Sequence, residues 1–513
     1  MEQYIVALSK YFIALFMAIY TYESFSVFRF REEKQRRGIY TRQVILLFFV
    51  HFTCFLTICI KTGELKYLFF YAFQQLAVFA VLVLYELLYP TLNRLVLHNM
   101  CMLLVIGFVI LTRLNMHLAI RQFFIVLASV LLAMVIPYAM RRLKNLRSYS
   151  WIYALLGIVP LGVVLALGST TYGSKLSFSV FGISFQPSEF IKILFVFFMA
   201  GALYKSTNLL QLAYVTFAAG VHVLILVASR DLGSALIFFV TFVLMVFLAT
   251  ENVWYLLLGA AGGAGASVVA YQLFRHVQMR VQAWKDPWSV IDGDGYQITQ
   301  SLFSLGRGGL FGLGLFQGEP GDIPKVERDF IFSAVSEEMG LIVALCVIMI
   351  SLSCFIMFMN ISMRLKDRFY QLVAFGMGVI YIFQVFLTIG GDTKFIPLTG
   401  VTLPLVSYGG SSVMTTVFMF AVIEGLYIIR QDEGAVHGKR KNKTAADRRK
   451  KGGAPGAGSG EDRAGQREHP GRKRRELAGT KQRERFDADH AKGAGSEPGG
   501  YPGTKRREQA GPK

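Results

Sequence analysis

Thirteen apolar runs, each close to the length of a membrane-crossing helix and separated by short polar connections, constrain this chain more than anything else in it. They lie near 4–22, 43–60, 67–89, 96–112, 122–140, 151–168, 189–206, 211–228, 234–249, 254–273, 332–359, 371–389 and 411–430. About 20 apolar residues carry a helix across the hydrocarbon core. Backbone groups cannot stay unpaired in lipid, and these runs are too long and too evenly apolar for barrel strands. The sequence therefore predicts an all-α polytopic membrane protein of about 13 transmembrane helices. Composition agrees, with 54% hydrophobic and only 17% charged residues, against about 25% charged in soluble domains. A disordered chain and an ordinary soluble enzyme are excluded. The run at 96–112 is the weakest, because His98 and Asn99 interrupt it. The first run follows Met-Glu-Gln rather than a basic segment, with no small-residue cleavage site after it, and reads as a retained helix. Cys54, Cys59, Cys101, Cys346 and Cys354 fall in apolar stretches without a CxxC pair, which indicates neither a disulfide framework nor a zinc site.

Positive loops stay cytoplasmic. One alternate set of short loops holds 15 Lys and Arg, at 24–44, Arg94, 141–150, Lys205 and 364–368; the other holds seven. The first set is expected in the cytoplasm, with the amino terminus outside. This puts the loops at 169–188, 274–331 and 390–410 on the extracytoplasmic side. Residues 431–513 hold 22 basic and 12 acidic side chains, half of the net charge of +20, and almost no aromatic or branched residues. Such a segment is expected to be a disordered basic cytoplasmic tail lying against anionic lipid. With one Tyr, one Phe and no folded motif, it gives no reason to expect nucleic acid as a partner.

Ionisable and turn-forming residues beside membrane helices are costly, and four clusters of them fall on the outer side. The first is Phe185-Gln-Pro-Ser-Glu189-Phe-Ile-Lys192, after Gly173-Ser-Lys-Leu-Ser-Phe. Pro187 and Ser188 suit a helix start, and Glu189 with Lys192 forms an i,i+3 pair that either neutralises itself or clamps a substrate. The second, Ser229-Arg-Asp231-Leu-Gly-Ser234, reads as an N-cap on residue type alone. The third is the long loop: Arg280, Lys285, Gly295-Tyr-Gln297, Gln300-Ser301, five glycines between 306 and 314, then Pro324-Lys-Val-Glu-Arg-Asp329 leading to Glu337-Glu338. Glycines at that density let a backbone approach a ligand or take positive φ. Asp329, where the loop enters an apolar helix, is either a cap or a catalytic group. The fourth, Lys394 to Ser412, has two prolines and three glycines yet is apolar, as in a broken segment lining a cavity.

Together, Gln186-Pro-Ser-Glu189, Asp231-Leu-Gly-Ser, Gly295-Tyr-Gln, Asp329-Phe-Ile-Phe with Glu337-Glu338, and Pro397-Leu-Thr-Gly…Leu-Pro…Ser407-Tyr-Gly-Gly-Ser-Ser412 resemble the SEDS family, the polytopic peptidoglycan glycosyltransferases that include RodA, FtsW and SpoVE. The resemblance covers about 96–430, a ten-helix core, and leaves 1–95 as a three-helix amino-terminal extension. The family pattern departs at Ser177, where a Trp is usual, and at Pro324-Lys-Val-Glu-Arg-Asp329, where Pro-Glu-x-His-Thr-Asp is usual.

The resemblance implies Asp329 as the essential carboxylate and lipid II as the substrate, polymerised on the outer face for division, elongation or sporulation. It implies substrate-binding roles around Arg280, Lys285, Glu189, Lys192, Asp231, Lys394 and Ser407. A class B penicillin-binding protein, a transpeptidase, is the implied partner. Diphosphate is a good leaving group, so one carboxylate acting as general base suffices; a divalent ion, Mg or Mn, held by Asp329 is the alternative role for that residue. No other cofactor is expected. Two other classes compete, a lipid II flippase and a noncatalytic scaffold. The one-sided placement of Glu189, Asp231, Asp329 and Lys394 argues against the flippase, which should carry cations at mid-depth. The small-residue run Gly259 to Ser267 suits close helix packing within the chain or with a partner.

Overall fold

The computed structural model describes residues 2–451 except 31–32, 144, 172–173, 181–182, 206 and 294, and without the side chains of 2–3, 33, 169–184 and 435–451. Helices α1 (Glu2–Arg29), α2 (Glu33–Thr62) and α3 (Leu65–Leu88) form the amino-terminal extension. Then come α4 (Arg94–Leu114), α5 (Met116–Ala133) continued by α6 (Val135–Arg142), α7 (Ser150–Leu167), α8 (Pro187–Leu203), α9 (Leu209–Ala228), α10 (Leu232–Thr250) and α11 (Val253–Leu273). The long loop holds α12 (Arg275–Lys285) and α13 (Tyr296–Gly308), and the chain closes with α14 (Ile331–Arg364), α15 (Arg368–Asp392) and α16 (Gly410–Lys451). Among the described residues twelve spans are long and apolar enough to cross a membrane, α5 and α6 counting as one. The thirteenth expected run is α8, whose 17 residues sit at the short end of the spanning range. The protein is a multi-pass helical membrane protein.

Two boundaries differ from the sequence reading. The loop at 169–188 carries three short antiparallel strands, β1 (Ser169–Thr171), β2 (Ser174–Val180) and β3 (Ile183–Phe185), paired in the order β1-β2-β3. In β2 Leu176, Phe178 and Val180 alternate with Lys175, Ser177 and Ser179, a period-two signal that the sequence reading left unused. Helix α16 runs to Lys451, past the boundary set at 431 by composition; residues 452–513, most of the expected tail, lie outside the described residues.

Polar caps set several helix ends. Asn93, Asn115, Asn208, Asp231, Asn252 and Asp367 each accept a hydrogen bond from an orphan backbone N–H of the helix that follows, each contributing about 1 kcal/mol. In α3 the buried residues Phe70, Gln74, Val78, Leu82 and Tyr85 form one stripe, while Leu68, Phe69, Phe73 and Leu76 face outward. That is a helix with one protein side and one lipid side. Gly259 and Gly263 of α11 lie against Val243 and Phe239 of α10, so the small-residue run does serve packing within the chain; Gly262 and Gly265 face open space.

The centre is α4, the weakest run by sequence. Every residue from Leu95 to Thr112 is buried, between α2, α5 and α14. Its polar residues are tolerated because the extension and α14 supply partners for them. Asn99 Oδ1 accepts from Tyr20 Oη and Ser24 Oγ, both at 3.1 Å, and its Nδ2 donates to Ser353 Oγ at 3.3 Å. His98 Nδ1 faces Gln43 Oε1 at 3.1 Å. The run ranked weakest because His98 and Asn99 interrupt it is therefore the most deeply buried span, and α1 and α2 pack into the core rather than standing apart from it.

Hydrogen bonds between membrane helices average about 0.6 kcal/mol each. Asn99→Leu, of similar volume, removes three and is expected to cost about 2 kcal/mol in a reversible detergent unfolding titration. Tyr20→Phe made on top of it should then cost almost nothing further. Full additivity of the two changes would show that the pair is not coupled.

Candidate functional site

Glycines build the platform. Helix α14 is interrupted at Gly340, whose φ of 90° and ψ of 168° are not helical. The freed backbone is paired by the glycine-rich loop: Leu313 and Gly314 N–H donate to the carbonyls of Glu337 and Glu338, and Leu341 and Ile342 N–H donate to those of Gly309 and Leu310. A Cβ at Gly308 would collide with the Ser336 carbonyl, and Gly312 has φ 77° against Glu338. The close approach these glycines permit is thus to α14 itself, not to a ligand. Side chains pin the same loop. Arg113 at the end of α4 donates to Glu338 Oε1 (2.8 Å) and to the Gly318 carbonyl (3.0 Å), Phe316 N–H donates to Glu338, and Glu319 N–H donates to Glu337. From the extension, Lys10 Nζ reaches the Gly312 carbonyl at 3.1 Å.

This platform holds Asp329. The residue capping α14 is Phe330, with no side-chain bond, so the capping alternative for Asp329 falls away. Its carboxylate is half-buried. Burial raises its pKa above the ordinary aspartate value, while the charges of Lys325, Arg328 and Arg280 pull it back and Glu327 adds to the rise. A carboxylate in this balance is more basic than a free one. Among the cations facing it, Lys325 adopts φ 61°, and Arg328 stacks 5.6 Å from the Tyr408 ring centroid.

The expected broken segment between α15 and α16 is irregular from Phe395 to Gly409. Its buried backbone is served by α5, where Gln122 Nε2 donates to the Ser407 carbonyl (2.9 Å) and Gln122 Oε1 accepts from Gly409 N–H. It also interlocks with the long loop: Arg280 Nη1 donates to the Thr399 carbonyl, Trp284 Nε1 to the Lys394 carbonyl, and Tyr408 N–H to the Glu327 carbonyl at 2.7 Å. Asp329, Arg280 and the 394–409 segment are therefore one assembly, built from two loops far apart in sequence.

A second polar assembly starts α8 and α10. Asp231 is an N-cap, accepting from Ser234 N–H at 3.1 Å, and its other oxygen accepts from Gln186 Nε2 (3.3 Å) and Ser188 Oγ (3.2 Å). Burial raises its pKa, against the lowering effect of the Ser234 and Ser188 bonds. Lys192, 1% exposed, pairs with Glu189 at 2.7 Å and donates to Gln384 Oε1 at 2.8 Å. Gln384 in turn donates to the Thr402 carbonyl and Ser412 Oγ. Of the two readings left open for the Glu189–Lys192 pair, this geometry is the self-neutralising one, extended into a strut for the 397–412 segment. Ser407 is buried, with its hydroxyl accepting from Leu403 N–H; Lys394 contributes its main chain at φ 58°. Lys285 is exposed at the end of α12 and is not among the largest charges acting on Asp329. The side chain of Ser177, in β2, lies outside the described residues.

One residue of the assembly escaped the sequence reading. Asp392, the last residue of α15, is 0% exposed; its carboxylate lies beside the Phe332 N–H without a well-formed hydrogen bond and within electrostatic reach of Asp329. Its carbonyl accepts from Ser301 Oγ (2.8 Å), which also bonds Ser333 Oγ (2.7 Å) just inside α14. The signal available in the sequence is an acid closing an apolar helix between Gly391 and Thr393.

Residues 91–431 match the family model FTSW_RODA_SPOVE, described as cell cycle protein. The chain belongs to this family. Relatives include the peptidoglycan glycosyltransferase RodA of Mycobacterium tuberculosis, 36% identical over 299 residues, covering 55% of this chain and 64% of the relative. The probable peptidoglycan glycosyltransferase FtsW of Francisella salina is 32% identical over 350 residues, covering 63% of this chain and 85% of the relative. The chain thus spans just under two thirds of the length of the mycobacterial relatives it matches. In solved structures the fold recurs in a peptidoglycan synthase complex that coordinates polymerization and crosslinking, with TM-score 0.56 and 23% identity over 66% of this chain and 98% of that one. It recurs also in the rod shape determining protein RodA of Thermus thermophilus, with TM-score 0.50 and 21% identity over 66% and 97%. The SEDS core read from the motifs is therefore this family's fold, and α1 to α3 precede the matched region.

Removing one partner of a buried ion pair costs about 3–5 kcal/mol, because the other charge is left behind. Glu338 is 1% and Arg113 18% exposed, so Arg113→Met is expected near the low end, about 3 kcal/mol, in thermal unfolding. Arg113→Met with Glu338→Met should recover part of that loss. A double variant less stable than the single one would show that Glu338 is not a stranded charge.

Proposed function

We propose that this protein is a peptidoglycan glycosyltransferase that polymerises lipid II on the outer face of the cytoplasmic membrane, with Asp329 as general base. The observation that carries the reading is a half-buried carboxylate, capping nothing, raised in pKa and facing Lys325, Arg328 and Arg280. It is joined by family membership and by relatives that bear the glycosyltransferase name. In the proposed reaction the GlcNAc 4-hydroxyl of one lipid II attacks the anomeric carbon of the MurNAc on the growing chain. The new C–O bond forms as the bond to undecaprenyl diphosphate breaks, and Asp329 takes the hydroxyl proton. The basic residues around it neutralise the departing diphosphate, Arg280 and Arg328 by forked hydrogen bonds and Lys325 as a point charge. Lys285 adds to the field from the exposed end of α12.

Asp329 and Asp392 also fit a hard divalent ion. Among the described residues no group of three His, Cys, Asp or Glu is present, but Mg takes one or two carboxylates and completes its shell with substrate phosphates. The carboxylate oxygens of Asp392 are a donor set of that kind. An ion held there would neutralise the diphosphate.

The orientation that supports this reading has the amino terminus outside and the carboxyl terminus in the cytoplasm, from 15 against seven basic residues in alternate loops. The 431–513 segment then meets anionic lipid on the inner side. A transpeptidase of the class B penicillin-binding type is the proposed partner, supported by the fold's recurrence in a complex that couples polymerization to crosslinking. The open side of α11, with Gly262 and Gly265, offers small residues for a partner helix.

Asp329→Ala is expected to abolish polymerisation of lipid II by the purified protein, by at least about 100-fold, with membrane insertion unchanged. A mutant polymerising at the wild-type rate would remove Asp329 from the chemistry. The pH dependence has a definite sign. A base works deprotonated, so activity falls as pH drops through its pKa, and burial places that fall above the range of a free aspartate. Lys325 lowers this pKa; Lys325→Met should therefore move the acid limb of the kcat profile to higher pH. A limb that stays put or moves down would assign it to another group.

A further inference from the structure

Three arginines gather at one end of the bundle, each from a different helix and each at the end of a membrane span. Arg36 lies in the first turn of α2, whose span is Lys34–Thr62; Arg364 closes the α14 span, Ile331–Arg364; Arg430 lies near the close of the α16 span, Gly410–Gly434. Helices α14 and α16 pack together, with the Phe358 and Phe420 rings 5.1 Å apart. Arg430 has both Arg364 and Arg36 within electrostatic reach. All three are open to the surface, Arg36 and Arg430 half-buried and Arg364 exposed.

Among the described residues no carboxylate neutralises them. Arg36 Nε donates to the Phe30 carbonyl at 2.8 Å, and the Arg430 guanidinium lies 4.8 Å from the Tyr427 ring centroid. A carbonyl and an aromatic face orient a guanidinium and leave its charge in place. Arg364 makes no hydrogen bond or ion pair among the described residues. The acids of this region are engaged elsewhere. Glu424 is turned inward to the Asn93 N–H at 2.8 Å, Asp432 pairs with Arg141 at 2.8 Å, Glu433 lies toward Tyr370 of α15, and Asp367 caps α15. Arg94, by contrast, is paired with Glu86 and stands outside the group. Like charges held this close repel one another, and an anion between them turns that repulsion into attraction.

We propose that Arg36, Arg364 and Arg430 bind the phosphate of an anionic phospholipid. Guanidinium forks match phosphate oxygens, and basic pockets between membrane helices suit such headgroups. Span ends lie at headgroup level, which makes a lipid rather than soluble phosphate the source. Met363, 76% exposed beside Arg364, gives an acyl chain an apolar flank. Headgroup charge is what the site selects. A zwitterionic lipid carries the same phosphate but brings its ammonium among three guanidiniums, whereas phosphatidylglycerol brings none. The leaflet, cytoplasmic, rests on the orientation proposed above; the headgroup chemistry does not.

Native mass spectrometry of the full-length protein in detergent, offered phosphatidylglycerol and phosphatidylcholine of matched chains, reads the preference directly. The glycerol lipid should be retained about tenfold over the choline lipid. Arg364→Gln and Arg430→Gln should each cut that ratio about threefold, whereas Lys205→Gln, which removes one exposed charge from the α8–α9 connection, should leave it unchanged. The basic segment after 431 is present in every variant, so its own attraction for anionic lipid cancels. Arg364 has no bond to lose among the described residues, which keeps its variant folded. Equal retention of the two lipids by the wild type would overturn the proposal. An equal fall in Lys205→Gln would do the same, by making the preference a property of overall surface charge. In thermal unfolding, phosphatidylglycerol should raise the midpoint and inorganic phosphate should not; an equal rise with inorganic phosphate would sink the lipid assignment in favour of a soluble anion. None of these outcomes bears on polymerisation by Asp329.

Discussion

The pairing of the glycine-rich loop with the interrupted turn of α14 is the interaction on which the candidate site depends. A break in a membrane helix exposes backbone donors and acceptors that lipid cannot satisfy. Here four loop-to-helix hydrogen bonds, between 309–314 and 337–342, take up that need. The loop can supply them only because Gly308 leaves room for the Ser336 carbonyl and Gly312 and Gly340 adopt positive φ. Once the loop is fixed, the chain from Pro320 to Phe330 has both ends held, and Asp329 is presented without having to cap α14.

Much of this was legible in the sequence, and the failures have physical causes. The helices were legible because membrane spans are set by length and apolarity, which a linear reading measures. The rank of α4 was not, because hydropathy cannot distinguish lipid from protein interior. His98 and Asn99 lowered its apolarity, and only the positions of Tyr20, Ser24, Gln43 and Ser353 on other helices show that these side chains are paired. Asp231 was read as an N-cap from its residue type and is one, since a cap is a local interaction three residues long. Asp329 had the same local signature and is no cap, because the turn before α14 is decided by remote pairing. The glycines announced close approach correctly but could not name what is approached. Asp392 escaped because its meaning lies in its distance from Asp329, 63 residues earlier in the chain, and in the Ser301–Ser333 link beside it.

The buried cations and those around Asp329 are engaged differently. Lys192 is fully committed, to Glu189 and Gln384, and Arg113 to Glu338 and Gly318. Those two buried cations stabilise helices and loops. The side chain of Arg280 instead meets a backbone carbonyl, which orients a guanidinium without neutralising it, and that of Arg328 lies over the Tyr408 ring and 4.0 Å from Glu327 in a loose, half-exposed pair. The difference matters for a diphosphate ligand, since a cation already paired with a carboxylate must surrender that pair before it binds phosphate.

The extension reaches this arrangement from behind. Helix α1 touches the glycine-rich loop through Lys10 and through Tyr11, whose ring lies 4.9 Å from that of Phe311. Further along, the same helix bonds Asn99 in the middle of α4, and α4 ends in the Arg113 that pins Glu338. Two mechanical routes therefore run from α1 to the loop that carries Asp329, one direct and one through α4. Because interiors this closely packed transmit displacement rather than absorb it, a change in how α1 to α3 sit against α4 is felt at that loop.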